Sequence, residues 1–217
     1  MTWFSWITAS PSGAASARLD AARVATSAND AVAIRAELAA RQPAPPAMLS
    51  YDEAVDLVCR ATGWPVGHVW VRGQEGWKSS GAWHDDGPQF ADLKASTAVT
   101  DLGSGRGIVA AVLHLEACRF MSDLSGLGST VRHQHAVEAG LVAVVGVPLR
   151  RSEKIEAIFE FITTAPVEPD NDLSDALLAV AARSRRSLPA TNLPATNMPA
   201  PRRTVSLDVE HPVDLAG

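Results

Sequence analysis

Cysteine is nearly absent from this chain: two residues in 217, Cys59 and Cys118. They form no CxxC pair and fit no zinc-ligand spacing, which excludes a disulfide framework and a thiolate-based zinc module. So few thiols suit a reducing compartment, and a cytoplasmic protein is the expectation. Basic residues are outnumbered, 19 Lys and Arg against 24 Asp and Glu, for a formal charge of -5. Nucleic acid and anionic membrane are therefore not expected partners, because affinity for a phosphate surface rests on clustered positive charge. The opening MTWFSWITA is apolar, but it is too short to span a bilayer and lacks the basic start of a secretion signal. It reads instead as an aromatic arm, Trp3, Phe4 and Trp6, able to dock on the domain or on a second subunit. There is no Ser-His-Asp order, zinc signature or kinase signature, so no catalytic residue, no metal site and no enzymatic activity are expected.

What the chain does contain is ordinary globular material, 47% hydrophobic and 20% charged residues, enough for one sizeable core with extensions. The Ala-rich segment from Ser16 to Arg41, with Leu19, Val24, Val32, Ile34 and Leu38, is helix-forming. Gln42-Pro43-Ala44-Pro45-Pro46 ends it, since proline cannot continue a helix. Ser50 followed by Glu53 has capping-box spacing for a second helix, whose buried stripe is Ala54, Leu57, Val58 and Ala61 and whose stop is Gly63. Cys59 lies inside that helix as a small packing residue. His68 to Val71 and Trp77 to His84, joined by a turn at Gly73 to Gly76, predict an antiparallel hairpin.

Residues 89 to 98 form a short helix in this reading, and Gly103-Ser104-Gly105-Arg106-Gly107 is a turn leading into the apolar run Ile108 to Leu113. The turn is not a dinucleotide fingerprint, for no preceding strand and no third glycine complete it. Arg119 to Leu124 is extended, Val131 to Ala139 a helix, and Leu141 to Pro148 with Ile155 to Thr163 a pair of strands, the first apolar on both faces. Asp170 to Ser187 closes the sequence of elements as a helix carrying Leu173, Leu177, Val180 and Ala181 on one side and a basic run, Arg183 to Arg186, at its end. The LPATNLPATNMPAP repeat beyond it has no packable period and reads as an extended linker, with Thr204 to Leu207 as a small strand or docking peptide.

This order predicts an α+β sandwich: a mostly antiparallel sheet with the terminal helices on one face and a looser helix and loop layer on the other, where a cavity would form. The expected organisation is an arm and helix over residues 1–47, the domain over 48–187 and a Pro-rich tail over 188–217. The ordered set TGWPVGHVWV, SSGAWH, GSGRGIVAAV, RFMSDL, HAVEAGLVAVVGVPLR and EAIFEFIT resembles the GAF domains of bacterial sensor kinases and cyclases.

The resemblance implies a sensory module that encloses a small molecule or mediates dimerisation, signalling to a downstream protein. Carried over by position, it implies a pocket drawing on Trp70, Trp83, His84 and Glu160 from the sheet and on Asp123 and Arg132 from the cap. It names no cofactor. The Asn-Lys-x-x-x-Phe signature of cyclic-nucleotide binders is missing, and Ser122-Asp123-Leu124 matches the bilin-class pattern without its proline. A reductase subclass uses cysteines around the cap and turn, but Cys59 falls on the apolar helix face and Cys118 outside the corresponding turn. His133 and His135, two apart, would project about 200° from one another in a helix and could not share a metal.

Overall fold

In a computed structural model, residues 13–41, 48–103, 105–124 and 130–186 are described, with side chains in the first helix from residue 26 onward. The aromatic arm, the LPATN repeat and the Thr204 to Leu207 segment lie outside the described residues. Helix α1 (Gly13–Ala40) leads to β1 (Leu49–Ser50) and α2 (Tyr51–Thr62). The capping box forms as its spacing demands: Glu53 N donates to Ser50 Oγ and Ser50 N to the Glu53 carboxylate, and Gly63 ends the helix at φ 70°. A positive φ is costly for a residue with a Cβ, so glycine is the natural stop there.

The hairpin of β2 (Val66–Arg72) and β3 (Trp77–Asp85) follows, then a single 3-10 turn and α3 (Ala91–Val99). The apolar run after the Gly-rich turn becomes α4 (Gly107–Leu115), and β4 (Arg119–Met121) and α5 (Val131–Glu138) complete the cap. The long hairpin of β5 (Ala143–Arg151) and β6 (Lys154–Thr163) returns the chain to α6 (Asn171–Ala182), which Asp170 caps by accepting from Leu173 N. The basic run does not extend that helix. Ser184 and Arg185 form β7, paired in parallel with β1, because the Leu49 amide donates to the Arg183 carbonyl and fixes the chain there.

The main sheet has the order β3-β2-β6-β5-β4, every neighbour antiparallel. Alternation divides its side chains between two interiors. Val69, Val71, Val145, Val147, Phe159 and Phe161 pack under α1, α2 and α6, joined by Ile34, Leu57, Leu173 and Leu177. Val66, Trp70, Val144, Ile158 and Ile162 face the opposite way, under α3, α4 and α5. This is the α+β sandwich expected from the sequence.

Two glycines let a helix approach each face. A Cβ on Gly67 would stand 2.8 Å from Cys59 Sγ of α2, and one on Gly146 would stand 2.6 Å from Ile108 Cγ1 of α4.

Candidate functional site

Between the sheet and the α3, α4 and α5 layer lies a cavity of about 360 Å³. Its walls are mostly apolar, from Trp70, Ile108, Val109, Val144 and Ile162, with Leu124 and Ala136 from the cap side. Two charged side chains, Glu160 and Arg132, enter this apolar space, and Asp101 and Arg106 also line it, both exposed.

Glu160 sits near the middle of β6, opposite His68 on β2 and Gly146 on β5. It is 2% exposed, and a buried carboxylate must be paired and hydrogen-bonded to stay ionised. Both requirements are met. The guanidinium of Arg132, on α5, donates Nη2 to Glu160 Oε2, and Trp70 Nε1 donates to the same oxygen at 3.0 Å. Burial on its own would push the Glu160 carboxyl up; the charge of Arg132 and the polar contacts from His68 and Trp70 outweigh it and hold the group down to about 2.

Arg132 is itself fixed on three sides. Its Nε donates to Thr97 Oγ1 at 2.8 Å, its guanidinium lies 5.3 Å from the centre of the Trp70 ring, and the Thr97 hydroxyl in turn donates to the Leu93 carbonyl at 2.7 Å. One ion pair thus ties the cap helix α5 to the central strand, and a hydroxyl of α3 supports it.

His68 is fully buried beside this pair. Its Nε2 meets Ser79 Oγ at 2.9 Å, while its Nδ1 faces Glu160 Oε2 at 3.7 Å, too far for a hydrogen bond. Burial, foremost, lowers the pKa of the ring against the opposing pull of Glu160. The imidazole stands edge-on to Trp70, with ring centres 4.7 Å apart. It packs behind the pair and does not line the cavity.

Of the six residues expected at the pocket, Trp70, Arg132 and Glu160 come together at the cavity wall. The other three stand elsewhere. Trp83 packs beside His68, with ring centres 5.3 Å apart, under Lys94 Nζ at 5.9 Å from its ring centre. His84 points to the opposite face of the sheet, where Nδ1 lies 3.1 Å from Asp56 of α2 and Nε2 lies 3.2 Å from Asp86. Asp123 is exposed just after β4, and the neighbouring Leu124 is the one that lines the cavity.

Sequence reasoning missed Thr97 and Arg106. The turn that carries Arg106 was in view, whereas nothing local marks a threonine in a short helix as a support for a distant arginine.

The other candidate chemistries find little support in the geometry. His133 and His135 part as helix geometry requires, His133 Nε2 donating to the Leu124 carbonyl and His135 Nδ1 reaching the Asp92 carbonyl at 3.1 Å. Among the described residues no group of three or more His, Cys, Asp or Glu could hold a metal. Both cysteines are free. Burial raises the Cys59 thiol well above its ordinary range and pushes Cys118 up to about 12, the reverse of what a thiolate nucleophile needs.

No family model matches the chain, and no curated protein matches it. Solved structures do. The GAF domain of a phosphoenolpyruvate-protein phosphotransferase from Coxiella burnetii superposes with a TM-score of 0.50 at 14% identity, covering 72% of this chain and 90% of that one. The GAF domain of the Acinetobacter phosphoenolpyruvate-protein phosphotransferase gives 0.49 at 15% identity, over 70% and 87%. A GAF domain/HD domain protein from Geobacter sulfurreducens gives 0.48 at 14%, over 61% and 90%. At such identities the likeness speaks of fold alone, and with the sheet order, the two helix layers and the cavity between them it leads to one conclusion: this chain has a GAF-like fold.

Proposed function

We propose that this protein is a sensory or regulatory module that closes its α3, α4 and α5 layer over a small, largely apolar molecule and passes the change to another protein or a second copy of itself. The observation that carries this reading is the cavity of about 360 Å³ walled by apolar side chains, with the Arg132–Glu160 pair holding the cap to the sheet across it. That volume falls within the range of small-molecule sites, which are mostly apolar with a few placed polar groups. A ligand shifts an arrangement only through differential affinity. Here the cap helix α5 contributes both Arg132 and Ala136 to the wall, so occupancy and cap position would be coupled directly. The cytoplasm is the expected setting. Among the described residues no helix is long and apolar enough to cross a membrane.

Native mass spectrometry of the purified chain, with thermal unfolding against a panel of small apolar compounds, tests the reading. The expected result is a retained mass or a ligand-dependent rise in Tm that Ala136→Leu abolishes by filling the cavity. An empty wild-type chain with no compound response, together with a gain in Tm from Ala136→Leu, overturns it.

A second reading, a dimerisation module without ligand, draws on Val32 of α1 and Leu178 of α6, which are 64% and 36% exposed. Leu173 and Leu177 belong to the core at 0% and 1% exposure, so charge placed there would unfold the domain. Val32→Asp with Leu178→Asp is the appropriate pair, read by subunit mass.

A further inference from the structure

On the face of the sheet away from the cavity, α1 meets the C-terminal end of α2 and the end of β6 around a recess of about 400 Å³. Asp30 of α1 lines it, half-buried. No hydrogen bond or ion pair joins Asp30 to another described residue, and burial, with nothing opposing it, pushes its carboxyl up to about 6. A carboxylate withdrawn from water and left unpaired is costly, and such groups in folded proteins are as a rule compensated.

The surroundings add acceptors instead of a counter-charge. The Thr62 hydroxyl donates to the Val58 carbonyl at 2.9 Å and accepts from the Trp64 amide at 3.2 Å, and that of Thr163 donates to the Ala165 carbonyl, so both hydroxyl protons are already committed and toward a further partner these oxygens can act only as acceptors. The recess also sits at the C-terminal end of α2, the negative end of a helix dipole. Among the described residues Asp30 is the only charged side chain lining it.

We propose that this recess is a binding site for a primary organic ammonium group, with Asp30 as its counter-ion and threonine hydroxyls accepting its N–H bonds. A single carboxylate matches a single positive charge. The recess is also far larger than a bare ion needs, and Trp64, Pro65, Pro166 and Val167 supply an apolar wall for the carbon body. The amine is either a free small molecule or the lysine side chain of another chain. The site is independent of the cavity under α5 and stands or falls apart from it.

The probe is butylammonium chloride, compared with sodium chloride at equal ionic strength, on the full chain. Butylammonium should raise the Tm of the wild type at pH 7.5 and raise it less at pH 5, where the carboxyl is protonated; among the described residues no other titratable side chain lines the recess. Asp30→Asn removes an uncompensated charge, so it should fold with an equal or higher Tm of its own and lose the response. Absence of the response in the wild type, or an equal response in Asp30→Asn, overturns the proposal. Sedimentation separates the two sources. A fall in subunit number in Asp30→Asn assigns the ammonium to a lysine of a second copy, and an unchanged number assigns it to a free amine.

Discussion

On the side of the sheet under α1, α2 and α6, the inward positions of β2, β5 and β6 are Gly67, Val69, Val71, Val145, Val147, Leu149, Ala157, Phe159 and Phe161, all apolar and closely packed. On the other side the same strands present Val66, His68, Trp70, Val144, Gly146, Ile158, Glu160 and Ile162. There an acid and an imidazole stand in the middle of the sheet, and the packing is left open. The first interior is what a fold needs to be stable. The second retains a buried ion pair, which contributes little net stability compared with well-packed apolar residues. What the pair does is geometric: it joins the cap helix α5 to β6 across a cavity.

The largest expected effect comes from breaking that pair. Arg132→Met leaves Glu160 with Trp70 Nε1 as its remaining close partner, and unfolding by urea at pH 7 should show a loss of about 3–5 kcal/mol, the cost of stranding a buried charge. Arg132→Met with Glu160→Leu should recover most of it. In the wild type the Glu160 carboxyl is lower folded, at about 2, than the ordinary value of about 4.3 when unfolded. Its contribution is therefore complete above the unfolded value and is lost as pH falls from there through the folded one. His68 is lowered as well, so it takes up its proton first in the unfolded chain, and acid costs stability as pH falls below about 6.5. Glu160→Gln should flatten the lower of these two slopes. Equal stability of Arg132→Met and wild type at pH 7 would end the claim that the two interiors differ in kind.

The next effect compares the two glycines. Measured by distance alone, Gly146→Ala looks worse, with Ile108 Cγ1 at 2.6 Å and Val112 Cγ2 at 2.7 Å, against Cys59 Sγ at 2.8 Å and Val55 Cβ at 3.1 Å for Gly67. Overpacking a filled core costs typically about 1–3 kcal/mol. Ile108 borders the cavity and has space to give way, whereas α2 is fixed at both ends by its caps. Gly67→Ala should therefore be the more destabilising in thermal unfolding. The reverse order would mean that the cavity layer is as rigid as the helical one.

The contrast between the faces was only partly legible in the sequence. Alternation and capping signals made the hairpins and α2 readable, because they depend on neighbours in the chain. The end of α6 was not, since Arg183 to Arg185 are set by pairing with β1, more than a hundred residues away in sequence. At the site, Trp70, Glu160 and Arg132 stood out as large or charged groups within apolar segments. Trp83 and His84 were both assigned to the pocket, although adjacent strand residues point to opposite faces. That rule alone sends one of them toward α2, and His84 is the one that meets Asp56 there.

The smallest effect concerns the thiols, and it separates the faces chemically. Cys59 packs in the helical interior, and Cys118 packs against the same cluster, with its Sγ 3.9 Å from the Ser174 carbonyl. Neither lines the cavity. A thiol held near 12 is ionised at pH 8 in only about one molecule in ten thousand, against roughly a quarter for a free cysteine near 8.5. Iodoacetamide at pH 8 should therefore label Cys118 in the native chain orders of magnitude more slowly than in urea, and Cys59 more slowly still. Fast native labelling of Cys118 would place a reactive thiolate on the face assigned to packing. A cysteine-dependent reaction would then have to be sought under α6 and not beneath the cap.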